Sequence, residues 1–328
     1  MVGILHFAKL RTPSVLLPAL QSNDDPLIGG QAVMEGVMMR TPQSYCVAVR
    51  KPSGEIVTKE DTATRLSERS RFWALPVARG CGVLGQSMAV GMKALNFSAE
   101  QAVEAETDDG ESKSAELPGW ALWLNVAISI GFFIAMYKFV PLVVTRQLQQ
   151  WQPILDNQVG FSFVEGGIRL AIFLAFLFAL SRLRDIRRVF EYHGAEHKVV
   201  FNFESGQELS VKNAQRFHTW HPRCGTSFLM VVMLVAIAAY ALVPFEGFGT
   251  QFVARIALLP IIAGVSYEII RYTAKHQSGA FMLMARPGLW LQRITTKQPD
   301  DSQVEVAILA LRKALDYERR VGGLPVVA

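Results

Sequence analysis

The stretch from Glu191 to Thr226, EYHGAEHKVVFNFESGQELSVKNAQRFHTWHPRCGT, gathers four of the six histidines (His193, His197, His218 and His221) and Cys224, one of the three cysteines. Its first pair reads His-x-x-Glu-His. On a helix, residues four apart share a face, one turn above the other, so His193 and His197 can present two imidazoles to one metal ion. Glu196 between them is a carboxylate placed to take a proton from water beside that metal. The order is the inverse of the zincin motif. Neutral imidazole and thiolate are good ligands for zinc and other late transition metals, and RFHTWHPRCGTSF supplies His221 and Cys224 as further donors. A closed His/Cys set is structural, whereas three ligands with an open position permit chemistry; the residue types allow both. Arg223 beside Cys224 also allows a thiol of lowered pKa with a redox or nucleophilic role. Pro222 and Gly225 predict a tight turn there.

These donors need a helix. Leu183, Ile186, Phe190, His193, His197 and Phe201 fall at spacings of three and four, which predicts one helix continuing out of the preceding apolar segment with both histidines on its apolar stripe. Imidazoles on such a face need partners. A shared metal, a backbone carbonyl or Glu196 could serve.

The composition places this helix next to a bilayer. The chain has 328 residues, 51% hydrophobic and 19% charged, with a net charge of +5 and a mean hydropathy of +0.24. That is too apolar for an ordinary soluble protein. Three scattered cysteines without a Cys-x-x-Cys exclude a disulfide framework and a ribbon-type zinc site, and Cys46 and Cys81 are expected as buried thiols in a reducing compartment. Four spans are predicted: one from Trp120 to Thr145, a short one around Leu170–Leu180, one over Ser227–Phe245, and one over Phe252–Ile270 with a tolerable kink at Pro260. The second reaches spanning length only if Phe161–Val164 or Leu183–Ile186 join it. Arg182, Arg184, Arg187, Arg188, Lys198, Lys212, Arg216 and Arg223 lie between the second and third spans. By the positive-inside rule both termini and the histidine-rich segment are therefore cytoplasmic, in the cytoplasmic (inner) membrane.

Around the spans, residues 1–26 read as a leader without secretory features, and 27–99 as a small cytoplasmic α+β domain. Ser44–Asp61 predicts a hairpin turning at Lys51–Gly54. Glu35 is the one carboxylate in a glycine-rich apolar run, as a functional acid or a paired structural one. Residues 66–102 have helical spacing and suit an amphipathic helix on the membrane surface or a glycine-rich helix packed on its own domain. The acidic stretch 100–119 is expected as a linker. The membrane domain occupies 120–270, with the His/Cys segment at 182–225, and residues 271–328 return to the cytoplasm. There Asp300 or Asp301 caps a helix with Val304, Ala307, Ile308, Leu311 and Leu315 on one face. The fold class expected is thus an α+β membrane protein: a four-helix transmembrane bundle with that N-terminal domain and a cytoplasmic C-terminal helix.

GGQAVMEGVMMRTP, AVRKPSGEIV, EYHGAEHK, HPRCGTSF and PGLWLQRITTKQPDD, in this order and across residues 27–315, resemble a widespread bacterial membrane-protein family of unknown function whose members are described as predicted metal-dependent enzymes. By position, the resemblance singles out Glu35 and Arg40, then His193, Glu196 and His197, then His221, Arg223 and Cys224. His218 lies outside the pattern. The resemblance to inverted-zincin peptidases is confined to one pentapeptide, and no distant third-ligand glutamate is identifiable.

Two functions follow as expectations. One is a membrane-embedded enzyme, hydrolytic in kind, with zinc on His193 and His197, Glu196 as general base, and His221 or Cys224 as third ligand; Glu35, Arg40 and Arg223 stand as supporting or substrate-facing residues. The other is a non-catalytic scaffold or biogenesis factor. Its basic surface would meet anionic lipid, a ribosome or a membrane-protein partner, with a structural metal or none. No specific nucleic-acid binding is expected. A transporter fits less well, because the spans carry few internal charges beyond Lys138 and Glu268.

Overall fold

The computed structural model describes residues 28–63, 73, 75–107, 119–221, 224–242, 247–275 and 279–322. The expected leader, residues 108–118 of the expected linker, and Arg223 with Pro222 lie outside them.

Four strands form an antiparallel meander in the order β1 (Gly29–Val33), β2 (Gly36–Arg40), β3 (Ser44–Arg50) and β4 (Ile56–Thr62). β3 and β4 are the hairpin read from the sequence, with Gly54 at a φ of +89° in its turn. β1 and β2 form a second hairpin that the sequence did not announce, paired from Gly29 with Arg40 to Val33 with Gly36. Side chains alternate across a strand, and both faces of this sheet are covered. Val37, Met39, Cys46 and Ala48 pack against α5 (Arg184–Glu204) and α11 (Asp301–Arg320). Val33, Met38, Tyr45, Val47 and Val49 pack against Val90 and Ala94 of α1 (Ala78–Thr107). Burial on both faces explains why GGQAV and GVMMR show no polar alternation.

α11 starts on a capping box. Asp300 accepts from the backbone N–H of Gln303, whose side chain accepts in return from the Asp300 N–H. The five apolar residues expected on one face all lie in the core.

α1 runs to Thr107, into the segment expected to be a linker. It packs on the bundle through Gly80, where an added Cβ would meet Tyr267 at 2.8 Å. Arg79 pairs with Glu268, so that apparently lone charge of the fourth span is answered from α1. Met88 and Met92 on its other face are exposed. Cys46 is buried as expected; Cys81 is only partly so.

Three helical segments are long and apolar enough to cross a membrane. The first, Ala127–Gln149, runs through α2 (Gly119–Ile134), a π-helical turn at Ala135–Phe139 and α3 (Val140–Gln149). The others are α4 (Gln158–Leu180) and α7 (Gly225–Leu242). α4 gains its length by recruiting Phe161–Val164. A fourth crossing exists if α8 (Phe248–Ala257) and α9 (Leu259–Lys275), which meet at a 43° bend, count as one span. The chain breaks there rather than kinking mildly. Ile128, Phe132, Phe163, Phe178 and Leu242 are exposed, as on helices whose neighbours are lipid. These helices mark a membrane protein.

Between α4 and α7 the helix expected to be continuous is interrupted. α4 ends at Leu180, and α5 starts anew at Arg184 after Leu183, which is exposed. From Tyr192 to Val200 every residue of α5 except His193 is buried, because the sheet covers one side and the chain before α7 another. The one-stripe reading therefore gives way to a helix enclosed all round. α6 (Val211–Ala214) is a single turn, and α10 (Gly279–Thr295) returns from the bundle towards α11.

Candidate metal centre

α5 carries the first donors. Their rings meet edge to face with centroids 4.5 Å apart, as residues four apart on a helix dictate. Each ring is oriented by a backbone carbonyl on its Nδ1: His193 by Thr295 O at 2.8 Å and His197 by Thr219 O at 2.5 Å. A carbonyl only accepts, so both Nδ1 atoms carry the proton and both Nε2 atoms are left as lone pairs. This is the support that metal-ligating histidines commonly receive.

Cys224 stands just before α7, with Sγ 3.1 Å from His193 Nε2. Donor atoms of His193, His197 and Cys224 all lie within 4.8 Å of one another. Zinc bonds of about 2.0–2.3 Å set tetrahedral donors roughly 3.5 Å apart, inside that range. The thiol offers one proton to two imidazole lone pairs, so the set is one donor short. The shortfall is visible at His197: its residue is 1% exposed, and its Nε2 is buried without a hydrogen-bond partner among the described residues. A bound cation would satisfy both lone pairs and the sulfur together. The chemistry of the donor set therefore fits zinc. Thr226 adds a backbone N–H to Sγ at 3.4 Å and its hydroxyl at 3.2 Å.

The segment bearing Cys224 is pinned at several points. Lys198 donates to the carbonyls of Gln215 and Phe217 at 2.9 and 2.7 Å. Gln292 of α10 takes both backbone groups of His221, accepting from its N–H and donating to its O, each at 2.8 Å, and donates to Ser227 Oγ at 3.1 Å. Gly194 lets Lys297 cross α5, where the Lys297 N–H bonds Phe190 O at 2.8 Å and a Cβ on Gly194 would collide with the Lys297 carbonyl.

Glu196 is buried against β1. A Cβ on Gly30 would come within 2.8 Å of its Cγ, and the Gly30 backbone is hydrogen-bonded to its carboxylate. Burial raises its pKa, against which nearby His193 and His221 act. Burial likewise lowers the pKa of His197, with the sulfur of Cys224 opposing. For His221 burial brings it down to about 4, with Glu196 opposing. Burial thus favours the neutral form of His197 and His221, the form in which imidazole binds metal.

The remaining candidates lie elsewhere. His221 stands apart from the three-donor group. Its ring is 5.7 Å from that of His197 and 4.4 Å from Phe201, and its Nε2 lies 3.4 Å from Glu204. Exposed His218 stacks near Trp220. Glu35, in the β1–β2 turn at a φ of +51°, is paired by both oxygens with Arg188 at 2.5 Å and takes the Tyr192 hydroxyl at 3.4 Å. Arg40 reaches Ser87 of α1 at 3.4 Å. The carbonyls of Thr219 and Thr295 carried no sequence signal, since every residue has one. Gln292 did: a lone amide in an apolar helix.

The family described as "Protein of unknown function (DUF1385)" matches residues 75–317. "Uncharacterized protein YqhQ" of Bacillus subtilis (strain 168) is 34% identical over 300 residues, covering 89% of this chain and 93% of that protein. No solved structure matches. The chain belongs to the DUF1385 family.

Proposed function

We infer that the chain is a metal-dependent enzyme of the cytoplasmic membrane, hydrolytic in kind, with its centre at the cytoplasmic face. One observation carries this reading: two imidazole lone pairs, each fixed by a carbonyl behind it, converge on one thiol, and His197 Nε2 is buried with no hydrogen-bond partner among the described residues. His193, His197 and Cys224 would hold the ion. A divalent cation of the zinc type supplies Lewis-acid polarisation when bound. Glu196, next in sequence to His197 and packed on Gly30, is the proton acceptor. Arg182, Arg184, Arg187 and Arg188 at the start of α5 support the cytoplasmic orientation, with four spans and both termini inside.

A second reading is favoured by the enclosure of the donors. His197 and Glu196 are 1% and 7% exposed, as suits a structural clamp joining α5 to the chain before α7 in a scaffold. Metal content and hydrolysis by the purified full chain separate the two. The enzyme reading expects about one zinc per chain, lost in His197→Ala and Cys224→Ser. In Glu196→Gln the zinc is retained, while cleavage of esters, phosphoesters or peptides in a substrate panel is abolished. Zinc without any cleavage, with Glu196→Gln indistinguishable from the parent, leaves the clamp. Absence of zinc after supplementation overturns the enzyme and the metal clamp alike, and leaves a scaffold without a metal.

A further inference from the structure

A second polar cluster lies inside the bundle near the other end of α7. Cys224 precedes that helix and Tyr240 stands in its last turn, about 24 Å further along the axis at about 1.5 Å per residue. Three cations surround the Tyr240 ring: Lys138 Nζ at 5.2 Å from its centroid, and the guanidinium carbons of Arg169 and Arg255 at 5.3 and 5.4 Å. They come from three segments, the π-helical turn, α4 and α8. One carboxylate answers them. Glu165 gives Oε1 to Arg169 and Oε2 to Arg255, the latter at 2.5 Å. Lys138 donates instead to the Tyr240 hydroxyl at 2.9 Å, whose own proton goes to Arg255 O at 3.1 Å. Among the described residues, three cations against one anion leave two positive charges uncompensated.

The burial makes that excess costly. Glu165, Arg255 and Arg169 are 1%, 3% and 6% exposed. Ionisable groups at such depth mark function unless they are paired. Buried polar atoms are also left over, Glu165 Oε2 among them despite its ion-pair contact with Arg255. Arg255 Nη1, on the guanidinium whose Nη2 meets Glu165, has no hydrogen-bond partner among the described residues. Nor has Ser162 Oγ, on the buried face of α4 that carries Glu165 and Arg169. Both breaks in the spanning helices meet here. The π-helical turn carries Lys138 and presents the Tyr137 carbonyl to Arg169 Nε at 3.0 Å, and Arg255 stands three residues before the bend at Leu258. π-turns and broken spans recur at binding sites, because the freed backbone needs a polar partner. The cations also run against the orientation proposed above, which puts positive charge at the other face.

We propose that the cluster formed by Lys138, Arg169 and Arg255 around Tyr240 and Glu165 binds a phosphate group, carried by a lipid headgroup or free in solution. Phosphate offers several acceptor oxygens and a charge of about −1.5 to −2, matching the two-charge excess. Guanidinium forks bind it through paired N–H donors, and lysine as a point charge. Half-buried Lys138 forms the approach, since its ammonium is tied to no carboxylate among the described residues.

The test uses the full chain purified into nanodiscs of phosphatidylcholine alone or with phosphatidic acid, and in detergent titrated with inorganic phosphate. Thermal stability and native mass spectrometry are the readouts. Stabilisation and a retained mass with phosphatidic acid only assign the site to a headgroup; stabilisation by inorganic phosphate as well assigns it to free phosphate. Either result supports the proposal. Lys138→Met is expected to weaken binding about tenfold to a hundredfold, to leave zinc content unchanged, and to be rescued by Lys138→Arg. Arg255→Lys, which keeps the charge but loses the fork, is the second variant and weakens binding less. Lack of phosphate or phosphatidic acid binding by the parent chain overturns the proposal. So does equal stabilisation by acetate, or parent-like binding by both Lys138→Met and Arg255→Lys.

Discussion

The two polar clusters at the ends of α7 are built on opposite deficits. Around His193, His197 and Cys224 there are too many lone pairs for the available protons. Around Tyr240 there are too many cations and N–H donors for the one carboxylate. A deficit of protons selects a cation, and a deficit of acceptors selects an anion. Neither is a preference of a single residue: each comes from elements distant in sequence brought together in a low-dielectric interior, where an unsatisfied group is expensive.

The strongest way to break this contrast is Glu165→Gln. Removing the carboxylate that pairs with two buried arginines is expected to destabilise the chain by about 3–5 kcal/mol, read as a fall in unfolding midpoint in detergent with zinc content untouched. Next comes His197→Ala, measured with and without metal. At a zinc concentration about a hundredfold above Kd the parent gains about 2.7 kcal/mol from binding and the variant gains nothing. Without metal the variant loses the bond to Thr219 O, about 1 kcal/mol, and the packing of a ring that is 1% exposed, about 2–4 kcal/mol more. A zinc-dependent gain in the variant equal to the parent's would show that His197 holds no ion. Gly194→Ala separates scaffold from donors. Forcing a methyl group against the Lys297 carbonyl is expected to cost about 1–3 kcal/mol and to lower zinc affinity although no ligand has changed. The smallest effect is Asp300→Ala, which removes one half of the α11 capping box for about 1 kcal/mol and leaves both clusters intact.

The sequence disclosed the cation-selecting cluster better than the anion-selecting one, for a physical reason. His193 and His197 are four apart and Cys224 opens the next span, so local spacing and one connection brought the donors together. Arg169 and Arg255 lie near the ends of their apolar segments, where snorkelling to the interface is an equally good reading. The Glu165 to Arg169 spacing of four was a signal of inward pairing that hydropathy alone obscured. Internal charges are accordingly more numerous than the sequence suggested, with Glu165, Arg169 and Arg255 joining Lys138 and Glu268. The β1–β2 hairpin was illegible because Met38 and Met39 are buried on opposite faces, leaving no period of two. The break at Ser181–Leu183 was hidden by apolar residues that continue the helical pattern although Leu183 faces outward.

The sheet is formed near one end of the chain and finished by the other. Residues 28–62 cannot cover the face bearing Val37, Met39, Cys46 and Ala48 until α11 has been made, and Thr41 and Ser44 wait for Glu318 and the Ala314 carbonyl at 2.7 and 2.9 Å. During synthesis every spanning segment must therefore enter the bilayer while the meander is still half-clad. Closure of the sheet by α11 thus follows synthesis of the spanning segments, and such long-range closure is slow, an interval in which the uncovered face leaves the nascent chain open to proteolysis.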